Sequence, residues 1–292
     1  MTYEINFLIL IVFVLQFFVG IGANFLFKNG ISEYLQVYIT QVIPIFLPAL
    51  FCCLTNKNGF DEYKRDGKIT PIKIICVIIL ALCVNFMVSI FIEKIYGPIL
   101  LMFIKEPFAS SASLLPDGGF DIALNIIFIC FIPAIFEEIL FRGVVLTRYE
   151  SIYGSKSAIF MCGLVFALMH ANIQSVVQQF IIGSFLSYIV IRYNSIYLGM
   201  IAHFVLNFTT LCLNIAGEAN QSGLSFLTDH SLKTFIICAL VIFGVMVLTQ
   251  KTQKKMYFKE SSTSAKEKRK EKLLLYVIIL LFAVIQILSL LS

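Results

Sequence analysis

Charged residues are scarce in this sequence. They make up 13% of 292 residues, and hydrophobic residues make up 59%, whereas an average soluble domain carries roughly 25% charge. With mean hydropathy at +0.93, this scarcity excludes a soluble globular domain and leaves a polytopic membrane protein. Tryptophan is absent, and histidine occurs only three times. No C-x-x-C pair occurs among the eight cysteines (Cys52, Cys53, Cys76, Cys83, Cys130, Cys162, Cys212 and Cys238). All eight lie in apolar stretches, which points to small buried hydrophobes rather than disulfides or metal thiolates. A convincing secretory signal is also missing. Residues 1–27 have no basic n-region, carry Glu4 instead and show no clear small-x-small cleavage site, so they are expected to form a span rather than a leader. The net charge of +5 is concentrated in two loops between apolar segments. It carries topology information and is no nucleic-acid footprint, so no nucleic-acid partner is expected.

What is present is a series of apolar runs. A spanning helix needs about 20 mostly apolar residues. On that ruler the candidates are 6–27, 34–54, 71–92, 120–146, 156–171, 175–191, 196–213, 232–248 and 273–291. The expected fold is all-α, a polytopic transmembrane helix bundle of about eight core spans plus a ninth C-terminal span. The chain divides into 1–119 (spans one to three and a connecting loop), 120–214 (spans four to seven), 215–250 (span eight), 251–272 (a basic linker) and 273–292 (span nine). Residues 96–119 are neither clearly a span nor clearly polar. The linker holds Ser-Ser-Thr-Ser and then a Lys/Glu run; it reads as solvated, with attraction to anionic lipid. No internal repeat of the transporter kind is evident.

Basic residues mark one side. The loop 56–70 carries Lys57, Lys64, Arg65 and Lys68, and the linker carries nine more basic residues. Arg148 and Lys156 flank the connection after span four, and Arg192 flanks the one after span six. These connections follow spans two, four, six and eight, so all face one side. By the positive-inside rule that side is cytoplasmic, and the N-terminus with it.

Polar groups inside the apolar runs are costly; a charge at mid-bilayer costs about 2.5–3.5 kcal/mol on insertion scales, so such residues mark functional sites. Phe136-Glu137-Glu138-Ile139-Leu140-Phe141-Arg142 is the densest cluster. Glu138 and Arg142 are four apart, on one helix face, and suit an ion pair. Glu137 is rotated by about 100° and has no cation at helical spacing, which leaves it as the carboxylate for chemistry. Pro133 removes the donor that would serve the Ile129 carbonyl, so a kink or opening is expected just ahead of the glutamates. Phe166 and His170 share a second helix face, and His203 and Asn207 a third. A glutamate in low-dielectric surroundings can act as a general base on water, a neutral histidine can hold that water and pass a proton on, and a second histidine with an asparagine can stabilise an oxyanion. The set therefore points to hydrolysis. There is no G-x-S-x-G nucleophile motif and no H-E-x-x-H zinc motif. Zinc on Glu137, His170 and His203 is the minority alternative, and no cofactor is expected.

Glu137-Glu138-x-x-x-Arg142, Phe166-x-x-x-His170 and His203-x-x-x-Asn207, in that order on successive spans, resemble the CPBP family, the Abi or type II CAAX prenyl endopeptidase-like intramembrane proteases. The resemblance covers residues 120–213. It implies a bundle of about eight helices around a polar cavity in the membrane. It implies Glu137 as the base that activates water, with His170 assisting, His203 and Asn207 as oxyanion donors, and Glu138, Arg142 and Phe166 in support. The expected partners are the lipid bilayer and a membrane-associated peptide or protein substrate: a prenylated C-terminus, as in eukaryotic relatives, a peptide pheromone, a bacteriocin precursor or a membrane protein. Self-immunity to a bacteriocin is a related role. The Ile/Lys/Asn/Phe-rich composition fits a low-GC bacterium and hence a bacterial plasma membrane. A non-catalytic membrane scaffold or regulator is the alternative. Nothing in the sequence specifies an oligomeric state. One difficulty is that the expected spans place Glu137 and His170 roughly 10–15 Å apart in depth.

Overall fold

The computed structural model describes residues 5–28, 32–56, 59–65, 67–104, 119–218, 230–252 and 264–291. Among these, all regular structure is helical. The helices are α1 (Ile5–Lys28), α2 (Glu33–Thr55), α3 (Pro71–Leu101), α4 (Asp121–Tyr153), α5 (Ser155–Met169), α6 (Val176–Tyr193), α7 (Ile196–Glu218), α8 (Ser231–Thr252) and α9 (Ala265–Leu291). Seven of them, α1–α4 and α6–α8, are long and apolar enough to cross a membrane. Their outer faces carry exposed Phe18, Phe25, Leu54, Leu240 and Phe243, side chains that suit acyl chains rather than water. The chain is an integral multi-pass membrane protein.

Two expected boundaries move. The third span runs on to Leu101, absorbing the start of the ambiguous stretch; residues 105–118 lie outside the described part. The fourth span runs on to Tyr153, while the fifth keeps nearly its expected extent. At 15 residues and 1.5 Å each, α5 is about 22 Å long, less than the ~30 Å hydrocarbon core.

The structure divides into two compact units. The first comprises residues 1–68, 132–200 and 258–292, and the second 69–131 and 201–257. In the first unit, α4 and α5 meet at Gly154, whose φ of 80° belongs to the left-handed side that glycine adopts without strain. The chain therefore turns back on itself within one residue. Helices α5 and α6 then approach closely at two small residues. A Cβ on Gly183 would stand 2.9 Å from the Phe166 ring and 3.1 Å from the Gly163 backbone, a close approach that lets intramembrane helices pack without a hydrophobic drive between them. The core of this unit is Leu140, Phe141, Leu146, Tyr149, Ile152, Phe166, Leu186 and Ile189, all under 2% exposed.

The connections after spans two, four and six gather at one end of the first unit. Arg65 pairs with Glu150 at 2.9 Å, Ser155 Oγ donates to Glu150 Oε1 at 2.6 Å, and the Gly67 N–H donates to the Asn194 carbonyl at 2.7 Å. The start of α9 is tied to the start of α1: the Glu271 carboxylate accepts from the Ile5 and Asn6 N–H groups at 2.8 and 2.9 Å. The Asn6 side chain donates to the Glu271 carbonyl at 2.7 Å, and Tyr149 on α4 donates its hydroxyl to Asn6. This corrects the expectation of a solvated linker over 251–272. Residues 253–263 lie outside the described part, but 265–272 are helical and Glu271 is 1% exposed. Its carboxylate is held by backbone donors, which is why a charge in the Lys/Glu run tolerates burial.

In the second unit, α3 packs against α8. Asn85, buried in α3, donates to Thr210 Oγ1 at 3.3 Å and reaches the Leu206 carbonyl at 3.5 Å, a polar link of the kind that joins intramembrane helices. Phe131 and Phe204 meet edge to face at 6.5 Å. The cysteines are all free thiols. Six are buried and Cys83 is half-buried, but Cys212 is exposed, which corrects the expectation for that residue: its position on α7 turns it outward from an apolar helix.

Candidate active site

Helix α4 reaches the glutamates through broken periodicity. Residues Ile126–Phe131 are π-helical, Ile132–Glu138 α-helical and Ile139–Val145 π-helical again. The first wide stretch stands immediately ahead of Pro133, where the missing N–H forbids a regular ladder; π-bulges of this kind recur at functional sites. The opening expected there takes this form. Asn207 on α7 donates its side-chain amide to the Ile129 carbonyl at 3.2 Å, the carbonyl that Pro133 deprives of its ordinary donor.

Glu138 and Arg142 are each 0% exposed, with Arg142 Nη1 donating to Glu138 Oε1 at 2.6 Å. Arg142 Nη2 donates to the Gly183 carbonyl at 3.0 Å, and the guanidinium lies 4.4 Å from the centroid of the Phe166 ring. The cation is thus met by a carboxylate, a carbonyl and an aromatic face, the three kinds of partner that make a buried charge tolerable. Gly199 completes the pocket; a Cβ there would stand 2.9 Å from Glu138 Oε2.

Glu137, 7% exposed, points elsewhere. Its Oε1 accepts from Gln41 Nε2 on α2 at 2.9 Å. Because a carboxylate only accepts, the amide must turn its NH2 edge to Glu137. Gln41 is the residue before a π-helical stretch at Val42–Phe46 that contains Pro44. Stacking of Phe46 on Phe136 at 4.4 Å holds the two helices together beside it.

His170 caps the C-terminus of α5. Its Nδ1 lies 2.8 Å from the Phe166 carbonyl, and its ring packs 4.7 Å from that of Phe166. A carbonyl cannot donate, so Nδ1 carries the proton, and in the neutral ring Nε2 is left as the acceptor.

The expected depth mismatch disappears in the α4–α5 hairpin. Counting from Gly154, Arg142 and Phe166 are each twelve residues away, and Glu138 and His170 each sixteen. The contact of Arg142 with Phe166 confirms that register. Along the hairpin, Glu138 and His170 therefore lie one helical turn beyond that contact, on α4 and α5 respectively. The sequence-based estimate ended the fourth span at 146, whereas α4 continues to Tyr153.

The first unit thus brings together Glu137, Glu138, Arg142, Phe166 and His170, and adds Gln41, Gly183 and Gly199, which sequence motifs did not single out. The polar Gln41 within an apolar span was the one available signal. The second unit carries His203, 4% exposed, and Asn207 one turn later on the same face of α7. Among the described residues, no group of three or more His, Cys, Asp or Glu side chains is arranged to hold a metal ion, and in the first unit Arg142 occupies Glu138 while the Phe166 carbonyl occupies His170 Nδ1.

A search of curated proteins finds no match to the chain. Residues 119–209 match the family described as Type II CAAX prenyl endopeptidase Rce1-like, a family of proteases. That segment is about a third of the sequence and contains all three motifs. The resemblance drawn from those motifs is supported over this segment: residues 119–209 are similar to the type II CAAX prenyl endopeptidase-like family.

Proposed function

We propose that this chain is an intramembrane endopeptidase that hydrolyses a peptide bond of a membrane-associated peptide or protein. The observation that supports this reading is the α4–α5 hairpin: Glu138 and His170 each lie sixteen residues from its turn at Gly154, Glu137 lies beside Glu138, and Arg142 neutralises Glu138. Glu137 takes a proton from a water held between it and His170 Nε2, and the water oxygen adds to the substrate carbonyl carbon. His203 and Asn207 donate hydrogen bonds to the oxyanion that forms. Its collapse breaks the C–N bond, and the proton taken by Glu137 passes, directly or through His170, to the leaving nitrogen. No step passes through a metal. Substrates of this class present a cleavage site at membrane depth: a lipidated C-terminus, a peptide pheromone or bacteriocin precursor, or a membrane protein. The basic end of the first unit faces the cytoplasm, and the host membrane is a bacterial plasma membrane.

The test is comparative peptidomics of membranes from cells carrying the wild type or Glu137→Gln. A general base contributes about 10²–10⁴-fold, so cleaved products present with the wild type should vanish with the variant while its uncleaved substrate accumulates. Identical peptide profiles from equally abundant proteins would sink the reading. A cellular phenotype preserved in Glu137→Gln would instead favour the scaffold.

A further inference from the structure

Helix α9 follows a basic linker, yet its polar side chains are tied to both halves of the α4–α5 hairpin. At its start, Glu271 holds Ile5 and Asn6, and Asn6 accepts from Tyr149 on α4. Fifteen residues later Gln286, 6% exposed, meets the chain just after His170. Its Oε1 accepts from the Ile173 N–H at 2.8 Å, and its Nε2 donates to the Ala171 carbonyl at 2.7 Å. Both faces of the amide are therefore spent on one short loop. That loop needs holding. Ala171 sits at φ 47°, a left-handed conformation that a residue with a Cβ adopts only when its surroundings enforce it. Directly before it, His170 ends α5 and donates Nδ1–H back to Phe166. Were the loop to relax, the α5 terminus would fray and the histidine would lose both its orientation and its tautomer. Gln286 also explains itself in this way: an amide in an otherwise apolar helix is unfavourable unless its donors and acceptor are met.

We propose that α9 is a strap across the catalytic hairpin and that Gln286 is a positioning residue for His170, fixing through the 171–173 loop which imidazole nitrogen faces the substrate. Its bearing on catalysis rests on the endopeptidase reading above; its bearing on His170 does not.

The test uses the full chain in lipid nanodiscs with histidine uniformly labelled with ¹⁵N. Only three histidines are present, and His170→Ala assigns the signal. In the wild type, the imidazole shifts of His170 should report the Nδ1–H form. In Gln286→Leu, which keeps the helix apolar, they should move to the mixed-tautomer average, and amide exchange at Ile173 should speed roughly tenfold, as expected for one lost hydrogen bond. Gln286→Glu keeps the acceptor for Ile173 but loses the donor to Ala171, and should fall between. Turnover of the peptides identified by the Glu137→Gln comparison should drop in kcat with KM unchanged. An unchanged His170 signature with unchanged exchange in Gln286→Leu overturns the strap. Altered shifts and exchange in a protein whose wild type cleaves no peptide uphold the strap and overturn the endopeptidase.

Discussion

Two neighbouring pockets, each built on one of two adjacent glutamates, differ in almost every physical respect. Around Glu138, every group is sealed. Arg142 is fully buried, the guanidinium has a carboxylate, a carbonyl and a ring as partners, and the glycines at 183 and 199 admit those partners at contact distance. Around Glu137, an uncharged amide donates to the carboxylate, and His170 on α5 is only half-buried, with its acceptor edge unspent on Phe166. Identical side chains one residue apart are handed to opposite surroundings by a helical rotation of about 100°. The sealed pocket holds the helix; the polar one is suited to bind and activate water.

Replacing Arg142 tests the sealed side hardest. Arg142→Met leaves Glu138 as a buried charge without its cation, and breaking such a pair costs about 3–5 kcal/mol. Thermal unfolding in detergent should show this loss, and the double variant Glu138→Gln/Arg142→Met should recover much of it. A stable single variant would erase the distinction between the pockets. On the other side, Gln41→Leu removes one donor to a carboxylate. The loss is about 1.5 kcal/mol, or roughly tenfold in rate, and should be read in turnover with little change in melting temperature. The smallest effect is expected for Phe166→Leu, which keeps an apolar side chain but removes the ring beneath Arg142. A cation–π contact contributes about 0.5–2 kcal/mol, and the shift should appear in stability and, through the packing on His170, weakly in turnover.

What was legible in the sequence was local. Glu138 and Arg142 are four residues apart, so helical periodicity alone pairs them, and Pro133 announces a break that the structure realises as a π-helical stretch. Seven of the nine apolar segments are helices long and apolar enough to cross a membrane, legible because a membrane helix must satisfy its backbone internally. What was illegible came from partners far along the chain. Gln41 lies 96 residues from Glu137 and Gln286 more than a hundred from the histidine loop, and no local pattern distinguishes them from other glutamines. Glu271 was misread for a related reason. A Lys/Glu run has the composition of a solvated linker, and only the unpaired first-turn N–H groups of α1 make one of its carboxylates a buried acceptor. The depth of His170 was misjudged because the fourth span was ended at 146, whereas α4 runs on to Tyr153.

The bond between Glu271 and the start of α1 has a consequence in time. It joins residues 266 positions apart, so during synthesis the first helix must wait for this partner until nearly all of this sequence has been made and α9 has docked. At about 5–20 residues per second, that delay is of the order of ten seconds to a minute. Until it ends, the loop after His170 also lacks the glutamine that holds it. The arrangement gives the protein a built-in order of maturation: a nascent chain can carry Glu137, His170, His203 and Asn207 before the loop after His170 is held, and under the proposed function its activity would begin only once α9 has docked.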